Sequence, residues 1–268
     1  MSNLTVILPA AGKGTRLNLP YPKEILRINN DEALIDYSFN FFRDYGRKDV
    51  EFVVVINENK TELITYLAKY KDRYNISFVY QNPNEKEYTG AIKSASHLFG
   101  EYNLVLLPDT IMKLKNGEDL FELVKTSLTE TGFTFLYKDE VNKDVLKTKG
   151  ALYVDDQKII KDYTDKPQTF LEKYNAFWCA FAFRRRTFKT CMDFMEKSTL
   201  KQLVDQNEIE TTPIYNSKAI DVEDYVDLGT WDEIKRLLIN EKDNNWLWWR
   251  TARLVFCFWH LDERARLC

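Results

Sequence analysis

The chain has 268 residues, 44% of them hydrophobic and 29% charged, and its net charge is −3. This length suits one large domain or two small ones, and the low Gly and Pro content excludes a disordered or collagen-like chain. The acidic balance argues against a nucleic-acid binder, and four cysteines without C-x-x-C spacing argue against zinc sites and disulfide frameworks. The N-terminus lacks a signal-peptide pattern and no apolar run approaches about 18 residues, so we expect a cytoplasmic protein without stable membrane insertion.

The first half of the chain alternates strand patterns with helix patterns. Buried apolar runs predict strands at 4–11, 50–56, 76–80 and 103–107. Apolar residues at helical spacing predict helices at 33–45, 61–74 and 90–99. Strands joined by helices build parallel sheets. The sequence therefore predicts an α/β fold, with a Rossmann-like mixed, mostly parallel sheet and helices on both faces.

The second half is less regular. Its apolar runs predict strands at 133–137, 151–154, 159–163 and 177–183, and its periodic segments predict helices at 187–197 and 231–241. Because no linker or repeat intervenes, we expect one domain over residues 1–241. Ligands of such sheets bind outside the carboxyl ends of the strands. The polar residues at those ends are therefore the candidates for a site.

The first strand ends in a turn of small residues, Pro-Ala-Ala-Gly-Lys-Gly-Thr-Arg. It is not a P-loop, and Leu17 stands where a dinucleotide fingerprint has a small residue. Backbone N–H groups in such a turn can hold phosphate oxygens, and Arg16 and Lys23 can neutralise a polyphosphate. A tight turn with two solvated cations is the alternative. The candidate nucleotide-binding residues of this turn are Ala10, Ala11, Gly12, Gly14 and Thr15.

Gly-x-Gly-Thr-Arg followed by Pro-Lys resembles the signature of the sugar-1-phosphate nucleotidyltransferases, or nucleotide-sugar pyrophosphorylases. This family includes the glucose-1-phosphate thymidylyltransferases and the pyrophosphorylase domain of the N-acetylglucosamine-1-phosphate uridylyltransferases. The resemblance implies an α/β nucleotide-diphospho-sugar transferase fold. The family's other motifs follow in order along residues 4–241.

Two motifs resemble the family's pyrimidine-base contacts. Gln81-Asn82-Pro83 resembles the Gln-x-Pro segment that reads the base, and Thr89 and Gly90 resemble the glycine-rich base contact. A glutamine amide can match the O and N–H edge of uracil or thymine, and a glycine lets the base approach the backbone. The resemblance therefore implies that Gln81, Thr89 and Gly90 bind the nucleotide.

Two aspartates resemble the family's metal ligands. Asp109 ends the fourth predicted strand, where a carboxylate can hold Mg²⁺ that bridges phosphates. Asp227 lies in Asp-x-Gly-Thr, which resembles the motif of the second ligand; on its own it is equally a turn or N-cap residue. The resemblance implies that Mg²⁺ is the cofactor.

The acceptor side resembles the family less closely. Asp165-Lys166-Pro167 stands where the family has Glu-Lys-Pro, whose lysine contacts the sugar phosphate. The resemblance also sets Gly150 and Asn175 beside the sugar. Trp178 and its neighbours make this floor bulkier than usual, which leaves the identity of the acceptor open.

The resemblance implies that a nucleoside triphosphate, UTP or dTTP, reacts with a sugar-1-phosphate to release pyrophosphate. Arg16, Lys23 and Lys166 would be the catalytic cations, and the family often forms homo-oligomers. One alternative is a CTP-dependent cytidylyltransferase that acts on phosphocholine or a phosphonate. Another is a nucleotide-binding regulatory module without turnover, but no catalytic acid or cation is missing.

The last residues, 242–268, differ from the rest. They contain four of the six tryptophans, and their basic residues from 244 onward are all arginine. Three interpretations stand: an amphipathic membrane-surface or partner-binding helix, a packing helix, or a sequence artefact such as a frameshift.

Overall fold

The computed structural model of the protein describes residues 3–29, 31–115, 117–203 and 205–240. The tail 242–268 lies outside the described residues. The strands are β1 (Leu4–Pro9), β2 (Val50–Ile56), β3 (Asn75–Tyr80), β4 (Tyr102–Val105), β5 (Thr110–Lys113), β6 (Phe133–Asp139), β7 (Gly150–Val154), β8 (Ile160–Asp165), β9 (Ala176–Arg184), β10 (Ile220–Asp221) and β11 (Asp224–Asp227). The helices are α1 (Asp36–Asn40), α2 (Glu62–Leu67), α3 (Glu87–Ser94), α4 (Leu120–Thr131), α5 (Lys143–Leu146), α6 (Phe188–Thr199) and α7 (Trp231–Asn240).

Within the described residues, nine strands form one sheet in the order β10-β6-β9-β4-β1-β2-β3, and β7 and β8 extend it from β9. Strands β3, β2, β1 and β4 are parallel, whereas β9 runs antiparallel to β4 and β6. The predicted mixed α/β sheet is therefore confirmed. Because β9 passes beyond the last paired residue of β4, its first half lies past the carboxyl edge of the parallel strands.

The sheet is covered on both faces, as predicted. Alternate residues of β1 enter different cores: Val6 and Leu8 belong to one cluster, and Ile7 belongs to the other. The first cluster includes side chains of α1, α2 and α4, and the second includes side chains of α3 and α6. A third, small cluster contains Leu17, Leu228 and Ile234, of which Ile234 belongs to α7. This cluster packs the end of the domain against the segment that follows β1.

One predicted helix needs correction, and two features of the structure have no counterpart among the predictions. The helix predicted at 33–45 has only the five α-helical residues of α1, because N–H groups there bond to carbonyls three residues back, as in 3₁₀ turns. Helix α4 was not predicted, although Asp119 caps its N-terminus and Gly132 ends it at φ 76°. The antiparallel pair β5 and β11 was not predicted either, because strands of four residues carry little periodicity.

A buried ion pair fixes the backbone that carries Lys23. The neighbouring Glu24 accepts a hydrogen bond from Lys60 at 2.6 Å, with side-chain exposures of 1% and 5%. Burial raises the pKa of Glu24 and lowers the pKa of Lys60, and the attraction between the two opposes both shifts. The backbone carbonyl of Glu24 also accepts the N–H of Ile35 at 2.9 Å. The turn after Pro22 is thus held from two sides.

Removing one partner of this pair is expected to destabilise the protein. Lys60→Met should lower the free energy of unfolding by about 3 kcal/mol, because it leaves a buried carboxyl without its cation. The double variant Glu24→Gln with Lys60→Met should recover most of that loss. Urea denaturation measures both, and Lys189→Met, which removes an exposed i,i+4 pair with Asp193, is the control. Equal stability of Lys60→Met and the control would contradict this interpretation.

Candidate active site

The glycine turn stands at the carboxyl end of β1, as predicted. Ala10 and Ala11 are buried, and the Asn57 side chain donates a hydrogen bond to the Ala11 carbonyl at 2.6 Å. Gly12 and Thr15 are exposed. The turn therefore has a fixed base and an open rim, which an anion can approach.

Lys23 reaches back across this turn. Gly14 has φ 66°, and a Cβ built there would lie 3.9 Å from Cγ of Lys23, so the lysine stem runs beside the glycine. The Lys23 ammonium forms an ion pair with Asp109. Burial lowers the pKa of Lys23, but the charge and hydrogen bond of Asp109 outweigh that effect and the net pKa is raised. Lys23 is therefore a fully charged group at neutral pH.

The pairing of β5 with β11 brings Asp109 and Asp227 to the same edge. Asp227 stands opposite Thr110, the residue after Asp109, in the antiparallel ladder. The N–H of Leu228 donates to the carbonyl of Asp109 at 3.1 Å. Asp109, directly before β5, and Asp227, the last residue of β11, thus lie at the same end of this two-stranded ladder.

Arg16 joins the same cluster through Gly229. The Asp227 carboxylate accepts the N–H of Gly229 at 3.0 Å, and a Cβ built on Gly229 would lie 3.5 Å from the Arg16 guanidinium. The indole N–H of Trp231, at the start of α7, donates to the carbonyl of Leu17 at 3.1 Å. The Asp-x-Gly-Thr segment and the glycine turn are therefore packed together.

Sequence reasoning missed one charged residue of this site. Lys149 forms an ion pair with Asp227 at 2.5 Å, so each of the two aspartates faces a lysine ammonium. The available signal was its position directly before Gly150, which opens β7.

The two aspartates fit the donor set of a magnesium site. Mg²⁺ in phosphate chemistry takes one or two carboxylates and completes its shell with phosphate oxygens and water. Among residues 3–240, apart from the three undescribed positions, no group of three or more His, Cys, Asp or Glu could hold a metal ion. Asp109 and Asp227 therefore suit a metal ion that completes its shell with water or phosphate oxygens.

The predicted base-binding residues lie together after β3. The Gln81 amide donates to the carbonyl of Glu85 at 2.9 Å. Gly90, in α3, is buried against that loop, because a Cβ there would come within 2.6 Å of the Glu85 backbone. Thr89 is also buried. The loop closes on the helix only because residue 90 has no side chain.

The acceptor side differs from the expectation at Gly150. A Cβ built on Gly150 would lie 1.9 Å from Nε1 of Trp178, so the indole fills the space above the glycine. Trp178 is buried beside Tyr88 and Phe181, and its Nε1 finds no hydrogen-bond partner within the described part of the chain. The bulky side chain expected here from the sequence therefore lies directly against Gly150.

The remaining acceptor residues separate into two groups. Asp165 pairs with Gly150 across β7 and β8; burial raises its pKa, and Lys166 and Lys201 oppose that shift. Lys166 is exposed at φ 47°. Asn175 lies instead near the other end of β7, where its amide exchanges two hydrogen bonds with the Val154 backbone at 2.7 and 2.9 Å. The structure thus groups Gly150, Asp165 and Lys166 and gives Asn175 a bracing contact.

Comparisons with known proteins identify the family of the chain. A family model described as nucleotidyl transferase matches residues 4–243. A curated relative, 2-C-methyl-D-erythritol 4-phosphate cytidylyltransferase of Clostridium botulinum, is 38% identical over 79 residues, which are 30% of this chain and 32% of that protein. The chain thus matches about a third of the length of this relative.

Solved structures show the fold. A UDP-glucose pyrophosphorylase from Acinetobacter baumannii superimposes with a TM-score of 0.66 at 18% identity, over 96% of this chain and 100% of that one. A glucose-1-phosphate thymidylyltransferase from Bacillus anthracis gives 0.68 at 15% identity, over 91% and 97%. In the part of the chain that the structure describes, no helix has the length and apolar character to cross a membrane.

The contact at Gly90 predicts a sensitive position. Gly90→Ala should lower the free energy of unfolding by about 1–3 kcal/mol, because the added methyl group meets backbone rather than a flexible side chain. Gly46→Ala is the matched control, since a Cβ there meets nothing within 4 Å. Thermal denaturation of both variants tests this, and equal melting temperatures would contradict it.

Proposed function

Because the chain belongs to the nucleotidyl transferase family and is thus a nucleotidyltransferase, we propose that it joins UTP or dTTP to a sugar-1-phosphate. An oxygen of the acceptor phosphate attacks the α-phosphorus, the bond from that phosphorus to the β-phosphate oxygen breaks, and pyrophosphate leaves. We assign this reaction to residues 1–241 of a cytoplasmic enzyme. The observation that carries the proposal is the cluster of Arg16, Lys23, Asp109 and Asp227 at one sheet edge.

The triphosphate is proposed to bind on the glycine turn. The rim from Gly12 to Thr15 offers backbone N–H groups, and Arg16 and Lys23 stand beside it. These cations would stabilise the charge that develops on the transferred phosphoryl group and on pyrophosphate. Positioning and charge neutralisation carry most of the rate in phosphoryl transfer.

Gln81 is proposed to select the base. Its amide nitrogen bonds to the loop, which leaves the amide oxygen as the group that can face a base. That oxygen would accept the N3–H of uracil or thymine, whereas cytosine has no proton at N3. This complementarity supports UTP or dTTP.

The acceptor phosphate is proposed to bind at the start of β7 and the end of β8. A phosphate monoester is mostly dianionic near neutral pH, because its second pKa is about 6, so the attack requires no general base. Lys166 would hold this phosphate in line with the α-phosphorus. Asp109 and Asp227 would hold Mg²⁺, which would supply charge neutralisation for the reacting phosphates.

A second candidate is a CTP-dependent cytidylyltransferase that acts on phosphocholine or a phosphonate. The indole of Trp178 favours it, because the indole occupies the space above Gly150 where the resemblance sets the sugar of a sugar-1-phosphate. An indole ring beside the acceptor would suit a quaternary ammonium group.

The test is to measure pyrophosphate release with UTP, dTTP and CTP, each combined with sugar-1-phosphates, phosphocholine and a phosphonate. We expect release with UTP or dTTP and at least one sugar-1-phosphate. Asp109→Asn should lower the rate at least about 100-fold, because it removes a carboxylate at the site of charge development. Asp156→Asn, at an exposed turn, is the matched control.

Release with CTP and non-sugar acceptors alone would select the second candidate. No release with any pair, or an Asp109→Asn rate equal to wild type, would refute both.

A further inference from the structure

Lys149 is held in the site by more than its ion pair. Its ammonium lies 2.5 Å from Asp227, 6.0 Å from the centre of the Phe177 ring and 5.9 Å from that of Tyr225. Its side chain is only 21% exposed. A cation in such a place stays close to Asp227, because both the carboxylate and the ring faces attract it.

The two lysine–aspartate pairs lie on different sides of the site. Lys23 approaches Asp109 from the glycine turn, which is the proposed triphosphate side. Lys149 approaches Asp227 from the start of β7, which is the proposed acceptor side. Each ammonium neutralises one carboxylate, and a metal ion on both carboxylates would displace both ammonium groups. A displaced ammonium needs a new anionic partner within reach.

The backbone sets Lys149 next to Lys166. Across the mouth of the β7–β8 hairpin, the N–H of Lys166 donates to the carbonyl of Lys149 at 2.9 Å. The Lys201 ammonium contacts the carbonyl of Lys166 at 3.2 Å. Burial and the charge of Lys166 lower the pKa of Lys201. The backbones of Lys149 and Lys166 and the ammonium of Lys201 therefore meet at this hairpin end, beside the buried Asp165. The lysines outnumber this one carboxyl, so the local charge favours an anion.

We infer that Lys149 is a second ligand of the acceptor phosphate, held on Asp227 in the free enzyme and transferred to the phosphate when Asp227 binds the metal. The inference rests on the proposed function for the identity of that phosphate. It assigns two roles to one side chain: Lys149 competes with the metal for Asp227 and binds the acceptor with Lys166. Removing the lysine must therefore change metal affinity and acceptor affinity in opposite directions.

The experiment uses Lys149→Met, Lys149→Gln and Lys149→Arg in the full-length protein. Mn²⁺ alone is titrated into each protein, and the free ion is followed by electron paramagnetic resonance. Lys149→Met and Lys149→Gln should bind Mn²⁺ more tightly by about fivefold or more, since Asp227 has lost its competitor. The KM for the acceptor found by the pyrophosphate assay should rise at least about tenfold, with the KM for the triphosphate nearly unchanged.

Lys147→Met is the matched control. Lys147 lies two residues upstream and pairs with Asp144 at 3.2 Å, outside the site. It should leave Mn²⁺ affinity and both KM values at wild-type levels. Lys149→Arg keeps the charge and should restore most of the acceptor KM. Circular dichroism melting shows whether each variant folds. If Lys149→Met does not fold, the Gln and Arg variants still test the inference.

Mn²⁺ affinity that is unchanged or weaker in Lys149→Met and Lys149→Gln would overturn the inference, because the lysine would then only position Asp227. An unchanged acceptor KM would also overturn it. The Mn²⁺ titration needs no substrate, so it reports on Lys149 even if no acceptor pair reacts. Failure of wild type with every pair would instead refute the proposed function.

Discussion

The short antiparallel pairing of β5 with β11 is the constraint on which the site depends. It brings Asp227 to the residue that follows Asp109, and the hydrogen bond from Leu228 N–H to the Asp109 carbonyl closes the ladder at 3.1 Å. Only then can Arg16 lie beside Gly229 and Lys149 reach Asp227. Without this pairing the two carboxylates would belong to separate loops, and they could not both contact one bound ion.

The free site is a set of paired opposite charges. Lys23 and Lys149 each neutralise one aspartate, which limits the cost of gathering partly buried carboxylates before a ligand arrives. The buried Lys60–Glu24 pair stabilises the backbone next to Lys23, because Glu24 directly follows Lys23. In the proposed reaction, a phosphate ligand with its metal would exchange these internal pairs for pairs with the ligand. Such preorganisation is what phosphoryl transfer needs, because catalysis there comes mainly from placed charges.

Much of this could be predicted from the sequence, for physical reasons. The parallel strands are apolar runs; the glycine turn follows β1 directly and Asp109 comes shortly after β4, so topology alone sends them to one edge. The position of Lys149 before Gly150 is a sequence signal, but its pairing with Asp227 depends on the register of β7 with β8 and on a strand pair of four residues. Asn175 matches a family position, yet its amide is used on the Val154 backbone. Whether a polar group is free for a ligand depends on tertiary contacts, which a motif does not contain.

The most direct test of the account is a double-mutant cycle on metal binding at the sheet edge. Mn²⁺ affinity is measured in the presence of a non-hydrolysable UTP analogue for wild type, Asp109→Asn, Asp227→Asn and the double variant. If the two carboxylates hold one ion together, each single variant should weaken binding by at least about tenfold, and the double variant should bind little more weakly than either. Additive losses, or a loss in only one variant, would contradict a shared site and with it the central role of the β5–β11 pairing.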